Sequence, residues 1–163
     1  MTADDRQLLA REYELLQRSF EDLGSRAMVA KPWSVTFSAG GLALAYTEGM
    51  PILLFLATVS AAVFWIIEAM LKMHQKAHLP RMCAIEAYFR SEGAELDLFQ
   101  IGYSWDKSFG EKGQMSRFVH QAILPHVFLP HLLIVLLGVG LLVFHPPGAT
   151  SSLVKSPTAS SKD

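Results

Sequence analysis

Several side chains could do chemistry, and the most telling lie in apolar sequence. Glu68 is the one acidic residue in the run 50–71 (MPILLFLATVSAAVFWIIEAML), where an ionisable group is costly and by default functional. It stands about one turn from the end of that run with Lys72 at i+4. Two readings follow: an ion pair at headgroup level, or a pore, gate or proton-linked role. Ser34 with Ser38, Gly41 with Ala45, and Ala57 with Ala61 are each four apart, a small-xxx-small spacing that lets helix backbones approach. Such contacts serve either a helical hairpin or a subunit interface. In the second case Ser34, Thr36 and Ser38 would line a narrow polar path.

The histidines and the cysteine point to no bound group. His74 and His78 stand at i, i+4 with Cys83 five residues on, but no carboxylate joins them at ligand spacing, so no metal is expected. His120, His126 and His131 surround a second apolar run without paired histidines at matching depth elsewhere, so no haem or other cofactor is expected. Pro125 and Pro130 sit beside two of them, and the carbonyls those prolines free are expected to bond the imidazoles. The chain has no phosphate-cradling glycine loop, no Gly-x-Ser-x-Gly elbow and no His-Glu-x-x-His, so no catalytic residue and no enzyme activity is expected.

These residues must be positioned by elements that composition already restricts. The 163 residues are 51% hydrophobic and 18% charged, and the charge is unevenly spread: 118–154 and 49–67 contain no Asp, Glu, Lys or Arg. Crossing about 30 Å of hydrocarbon takes about 20 apolar residues, so runs of this length argue for a bilayer. A net charge of −1 argues against a nucleic-acid partner, and a single cysteine excludes an intramolecular disulfide. Three spans are expected, at 28–47, 50–71 and 123–144. Gly49 and Pro51 supply turn chemistry that folds the first two into an antiparallel hairpin.

Lys and Arg number four before the first span with Lys31 just inside its start, none in the turn, seven between the second and third spans, and two after. The positive-inside rule then places the amino terminus and 72–122 in the cytoplasm, with the turn and the tail from His145 outside. The charged first thirty residues have no apolar run before a cleavage site and so predict no signal peptide. Within them Leu9, Tyr13, Leu16, Phe20, Leu23 and Ala27 recur at steps of 4, 3, 4, 3 and 4. That is one stripe of a helix over 1–27, begun by Thr2 as a cap and ended by a hinge at Gly24–Ser25. The stripe packs on this chain's own second cytoplasmic segment, or meets another copy, a partner or the membrane interface. Pro80 is expected to kink a helix over 71–91, beyond which Met82, Ile85 and Phe89 share a face suited to the stripe. Gly93 is expected to end it, 96–109 to be irregular, 114–124 to be helical, and the Pro- and Ser-rich tail 145–163 to be disordered.

The run Arg26-Ala-Met-Val-Ala-Lys-Pro-Trp-Ser-Val-Thr, then Phe64-Trp-Ile-Ile-Glu-Ala, then Ile85-Glu-Ala-Tyr-Phe resembles the SLATT group of small bacterial membrane proteins over roughly residues 8 to 92. It also resembles uncharacterised bacterial proteins with a Lys-x-Trp-Ser-Val-Thr start. This chain departs from the two-span pattern by its third span and tail. The resemblance implies an oligomeric membrane effector of anti-phage conflict systems that breaches the inner membrane on a signal. The whole reading is an all-α inner-membrane protein with three transmembrane helices and a cytoplasmic helical bundle, oligomeric and pore-forming. Ser34, Ser38, Gly41 and Glu68 are the pore or assembly candidates, and Leu9, Tyr13, Leu16, Phe20 and Leu23 form the cytoplasmic contact stripe. The expected partners are the bilayer, further copies of the chain and a cytosolic defence protein. The competing reading is a non-conducting anchor that recruits its partner through the same stripe.

Overall fold

A computed structural model describes residues 3–90, 96–109 and 113–148, and 88% of them are helical with no strand among them. The Thr2 cap, the Gly93 stop and the tail beyond Gly148 lie outside the described residues. Six helices follow in order: α1 (Ala3–Thr47), α2 (Pro51–Ala77), α3 (Leu79–Arg90), α4 (Ile101–Phe109), α5 (Gln114–Ala122) and α6 (Pro125–Phe144). Two stretches are long and apolar enough to cross a membrane, one within Pro51–Arg90 and one at Pro125–Phe144. The expected first span is not among them. Lys31, Pro32, Ser34, Thr36, Ser38 and two glycines dilute its hydropathy. On α6, Leu133 is 62% and Phe144 78% exposed, so its apolar surface is not spent on an internal core.

The hinge expected at Gly24–Ser25 is absent, and α1 is a single helix of 45 residues with Pro32 inside it. Proline removes one helical hydrogen bond at a cost of about 3 kcal/mol. Ala27, Ala30 and Ser34 on either side of it are buried. Gly24 has a different use: a Cβ there would lie 2.6 Å from Nε2 of Gln75, the atom that donates to the Phe20 carbonyl at 2.9 Å. The expected tight turn does form. Gly49 adopts φ +66°, and the Met50 N–H reaches back to the Ala45 carbonyl at 3.0 Å, closing the end of α1 as a left-handed glycine permits. Pro51 then occupies the first position of α2, where its missing N–H costs nothing.

The chain divides into two compact units, Met1–Ala30 with Ile66–Val127, and Lys31–Trp65 with Phe128–Asp163. In the first, Leu9, Leu16, Met82, Ile85 and Tyr88 form the core, with Tyr13, Phe20, Leu96, Leu98 and Ile101 packed against it. Burying each such side chain contributes roughly 1.5–3 kcal/mol. The stripe thus packs on its own chain, except that Leu23 is half-buried outside the cluster and Phe89, expected on the inner face, is 50% exposed. Tyr88 takes that place because the inner positions of α3 advance by three, 82, 85 and 88. The helix breaks at His78 between α2 and α3, two residues before Pro80, which has no N–H to continue the ladder.

Residues 101–109 are helical, contrary to expectation. Gly, Ser and aromatic residues are poor helix formers, and tertiary stacking overrides them. Trp105 and Phe109, four apart, stack with centroids 4.4 Å apart, and His74 of α2 lies over Phe109 at 4.8 Å. In the second unit Trp33 stands beside Phe37, and Phe37 stacks on Phe64 at 6.1 Å.

Candidate functional site

The second unit holds a polar core built on apolar helices. Ser34 Oγ of α1 lies 2.9 Å from Nδ1 of His131 on α6, and neither side chain has exposed surface. In one tautomer the hydroxyl donates to Nδ1, and in the other Nδ1–H donates to the hydroxyl, so the contact is satisfied either way. Its Nδ1 thus meets a serine of another helix, a contact the prolines beside it did not announce. One turn along α1, Ser38 Oγ donates to the Ala57 carbonyl at 3.3 Å, while Thr58 Oγ1 donates to Leu54 at 2.8 Å within α2.

Close backbone approach makes those contacts possible. A Cβ on Gly41 would sit 2.7 Å from that of Ala57, and one on Gly138 would collide with the Thr58 side chain. Beside them lies a small apolar cavity of about 120 Å³ whose lining includes Ser38, Leu42, Leu54, Ala57 and Thr58 but neither Ser34 nor His131. Near the turn, Tyr46 donates to the His145 carbonyl at 2.7 Å, and a Cβ on Gly148 would lie 2.7 Å from the Gly49 carbonyl oxygen. The structure therefore brings Ser34, Ser38 and Gly41 together inside one protomer. A serine beside a histidine is the skeleton of an activated nucleophile, and here both side chains are fully buried.

Glu68 belongs to the first unit and has no exposed surface. Lys72, the expected partner, donates to Gln75 Oε1 at 3.0 Å. In the same unit Glu12 and Arg81 form a buried bidentate ion pair at 2.7 and 2.9 Å. Arg81 Nη2 also donates to the Asp97 carbonyl at 2.6 Å, and Glu12 Oε2 accepts the Phe99 N–H at 3.1 Å. Phe99 has φ +56°, an uncommon conformation for a bulky residue, and this hydrogen bond helps hold it. Sequence reasoning passed over the pair, though a signal was present: Glu12 falls three after Leu9 and four before Leu16, on the apolar stripe itself. A charge at such a position calls for an opposite charge on the facing helix.

Tyr13 donates to Glu86 Oε1 at 2.8 Å on the exposed edge of the core. That hydrogen bond, followed by partial desolvation and the Glu86 charge, holds the phenol above the ordinary value of 10.0. Among the described residues no group of three His, Cys, Asp or Glu is placed to hold a metal ion; His74 is taken up in the aromatic stack. No family model matches the chain, nor does any curated protein or solved structure.

Proposed function

We propose that the chain is a three-span, oligomeric protein of the bacterial inner membrane that permeabilises or conducts across that membrane, with the helical unit of residues 3–30 and 66–127 as its cytoplasmic, signal-receiving part. The carrying observation is the Ser34–His131 hydrogen bond, made between two fully buried side chains among apolar helices. Polar groups placed there are costly, and an ionisable one is by default a functional candidate. The enclosed Glu68 adds a second ionisable group to an apolar stretch. The sequence resemblance to SLATT proteins over roughly residues 8 to 92 supports a role in anti-phage defence, where loss of membrane integrity is the output.

Expression in cells loaded with a potential-sensitive dye tests this. Depolarisation by the native chain that is lost in Ser34→Ala and His131→Leu, with both variants still in the membrane fraction, supports conduction through this core. A chain that leaves the potential intact under every trigger refutes it. A second reading, the non-conducting anchor, is favoured by one observation: Ser34 and Ser38 turn into their own protomer, where they bond His131 and Ala57. It predicts an intact potential and a cytosolic protein retained by the purified chain. The amino-terminal stripe is already covered in the core, so that partner would dock elsewhere.

A further inference from the structure

Within the first unit a cavity of about 310 Å³ opens between the end of α2, the start of α3, the end of α4 and α5. Its polar lining includes Lys76, Arg117, Ser108 and Gln121, and no carboxylate lines it among the described residues. Two cations on one cavity wall favour an anion. The other two groups offer acceptors. The Ser108 hydroxyl hydrogen is committed to the Ser104 carbonyl at 2.8 Å, which leaves its lone pairs. Gln121 is only 5% exposed, and its Oε1 is enclosed without a hydrogen-bond partner, so a turn of this amide toward a donor in the cavity would be favoured. A ligand complementary to all four carries a negative charge and hydroxyl donors together.

A second, apolar groove of about 370 Å³ continues from this cavity, sharing Met73 and Gln114 with it and running along Ile66, Met70, Met115 and Phe118. An anionic polar site that opens onto an apolar groove fits an amphiphile. Lys76 stands five residues beyond the apolar run that ends at Leu71, and Gln121 four residues before Pro125. At 1.5 Å per helical residue Lys76 lies about 8 Å beyond the end of its apolar run, the depth of lipid headgroups, and Gln121 stands at the end of α5 just before α6 begins.

We infer that this cavity and groove bind one anionic glycerophospholipid with a hydroxyl-bearing headgroup, phosphatidylglycerol in chemistry, its phosphate on Lys76 and Arg117, its glycerol hydroxyls toward Ser108 and Gln121, and an acyl chain along Met70 and Phe118. The inference rests on the membrane reading above. Basic pockets beside membrane helices take such headgroups, each cation contributing about fivefold in affinity near a membrane surface.

Native mass spectrometry of the full chain in detergent, titrated with dioleoyl phosphatidylglycerol or dioleoyl phosphatidylcholine, tests it. Phosphatidylglycerol adducts should dominate, and Lys76→Gln and Arg117→Gln should each weaken them about fivefold. Both side chains are exposed, so these variants keep the core. Gln121→Leu should abolish the preference for phosphatidylglycerol over dioleoyl phosphatidic acid, which lacks the glycerol hydroxyls. Equal retention of phosphatidylglycerol and phosphatidylcholine overturns the inference, and so does equal binding of free glycerol phosphate, which would make the site a phosphate site. Alkaline extraction of cell membranes reads the membrane assignment separately. Release of the chain refutes that assignment, whereas retention in the membrane with both lipids bound alike refutes the lipid site alone.

Discussion

Arg81 and Glu12, 69 residues apart in sequence, meet through two hydrogen bonds of 2.7 and 2.9 Å in the core of the first unit. Each also holds the segment before α4, Arg81 through the Asp97 carbonyl and Glu12 through the Phe99 N–H. Removing one partner strands a buried charge, so Glu12→Ala or Arg81→Ala should destabilise the unit by about 3–5 kcal/mol. The double variant Glu12→Leu with Arg81→Met should recover most of that loss. Thermal unfolding in one detergent reads all four proteins, and a double variant as unstable as either single one contradicts the account.

Gly41 is fixed by its neighbour. A methyl group there would lie 2.7 Å from the Cβ of Ala57, backed by the α2 backbone. Gly41→Ala should therefore cost about 1–3 kcal/mol through overpacking. Adding Ala57→Gly should return part of it. Denaturation midpoints of the single and double variants in nanodiscs test the coupling, and additive effects would mean the two residues do not share the contact.

Ser34→Ala leaves the His131 Nδ1 contact unmade at a fully buried position. About 1–3 kcal/mol of stability should be lost. Nitrogen NMR of the labelled ring supplies an independent readout, since Nδ1 should shift in Ser34→Ala and stay in place in Ser38→Ala. Unchanged ring resonances in the first variant would show that the hydroxyl is not the partner.

Tyr13 sets a pH dependence of known sign. Its pKa is raised in the fold, chiefly by the hydrogen bond to Glu86, so its contribution to stability is complete below pH 10.0 and lost as pH rises through the folded value. Unfolding followed between about pH 8 and 12 should show a decline in the native chain that Tyr13→Phe lacks. Identical profiles would remove Tyr13 from the account.

Periodicity made part of the fold legible. The stripe Leu9–Tyr13–Leu16–Phe20 read as the buried face of a helix, and it is the face that packs. Gly49 and Pro51 marked the turn because each has a backbone preference that few other residues share. What escaped depends on groups distant in sequence. The Ser34–His131 bond joins residues 97 apart, and neither residue type declares its partner. α4 was missed because its stability comes from His74 stacking on Phe109 rather than from its own composition. Gly24 was misread because a glycine admitting a neighbouring side chain looks in sequence like a hinge.

The unbroken course of α1 has a rotational consequence. Its enclosed positions within the first unit, Leu9, Glu12, Leu16 and Ala27, lie on one angular phase. One residue inserted after Arg18 would turn Ala27 by about 100° relative to Leu9. The two could then no longer both face inward, so an insertion along this stretch should cost the first unit its packing, whereas one at the exposed turn around Glu48 leaves that phase intact.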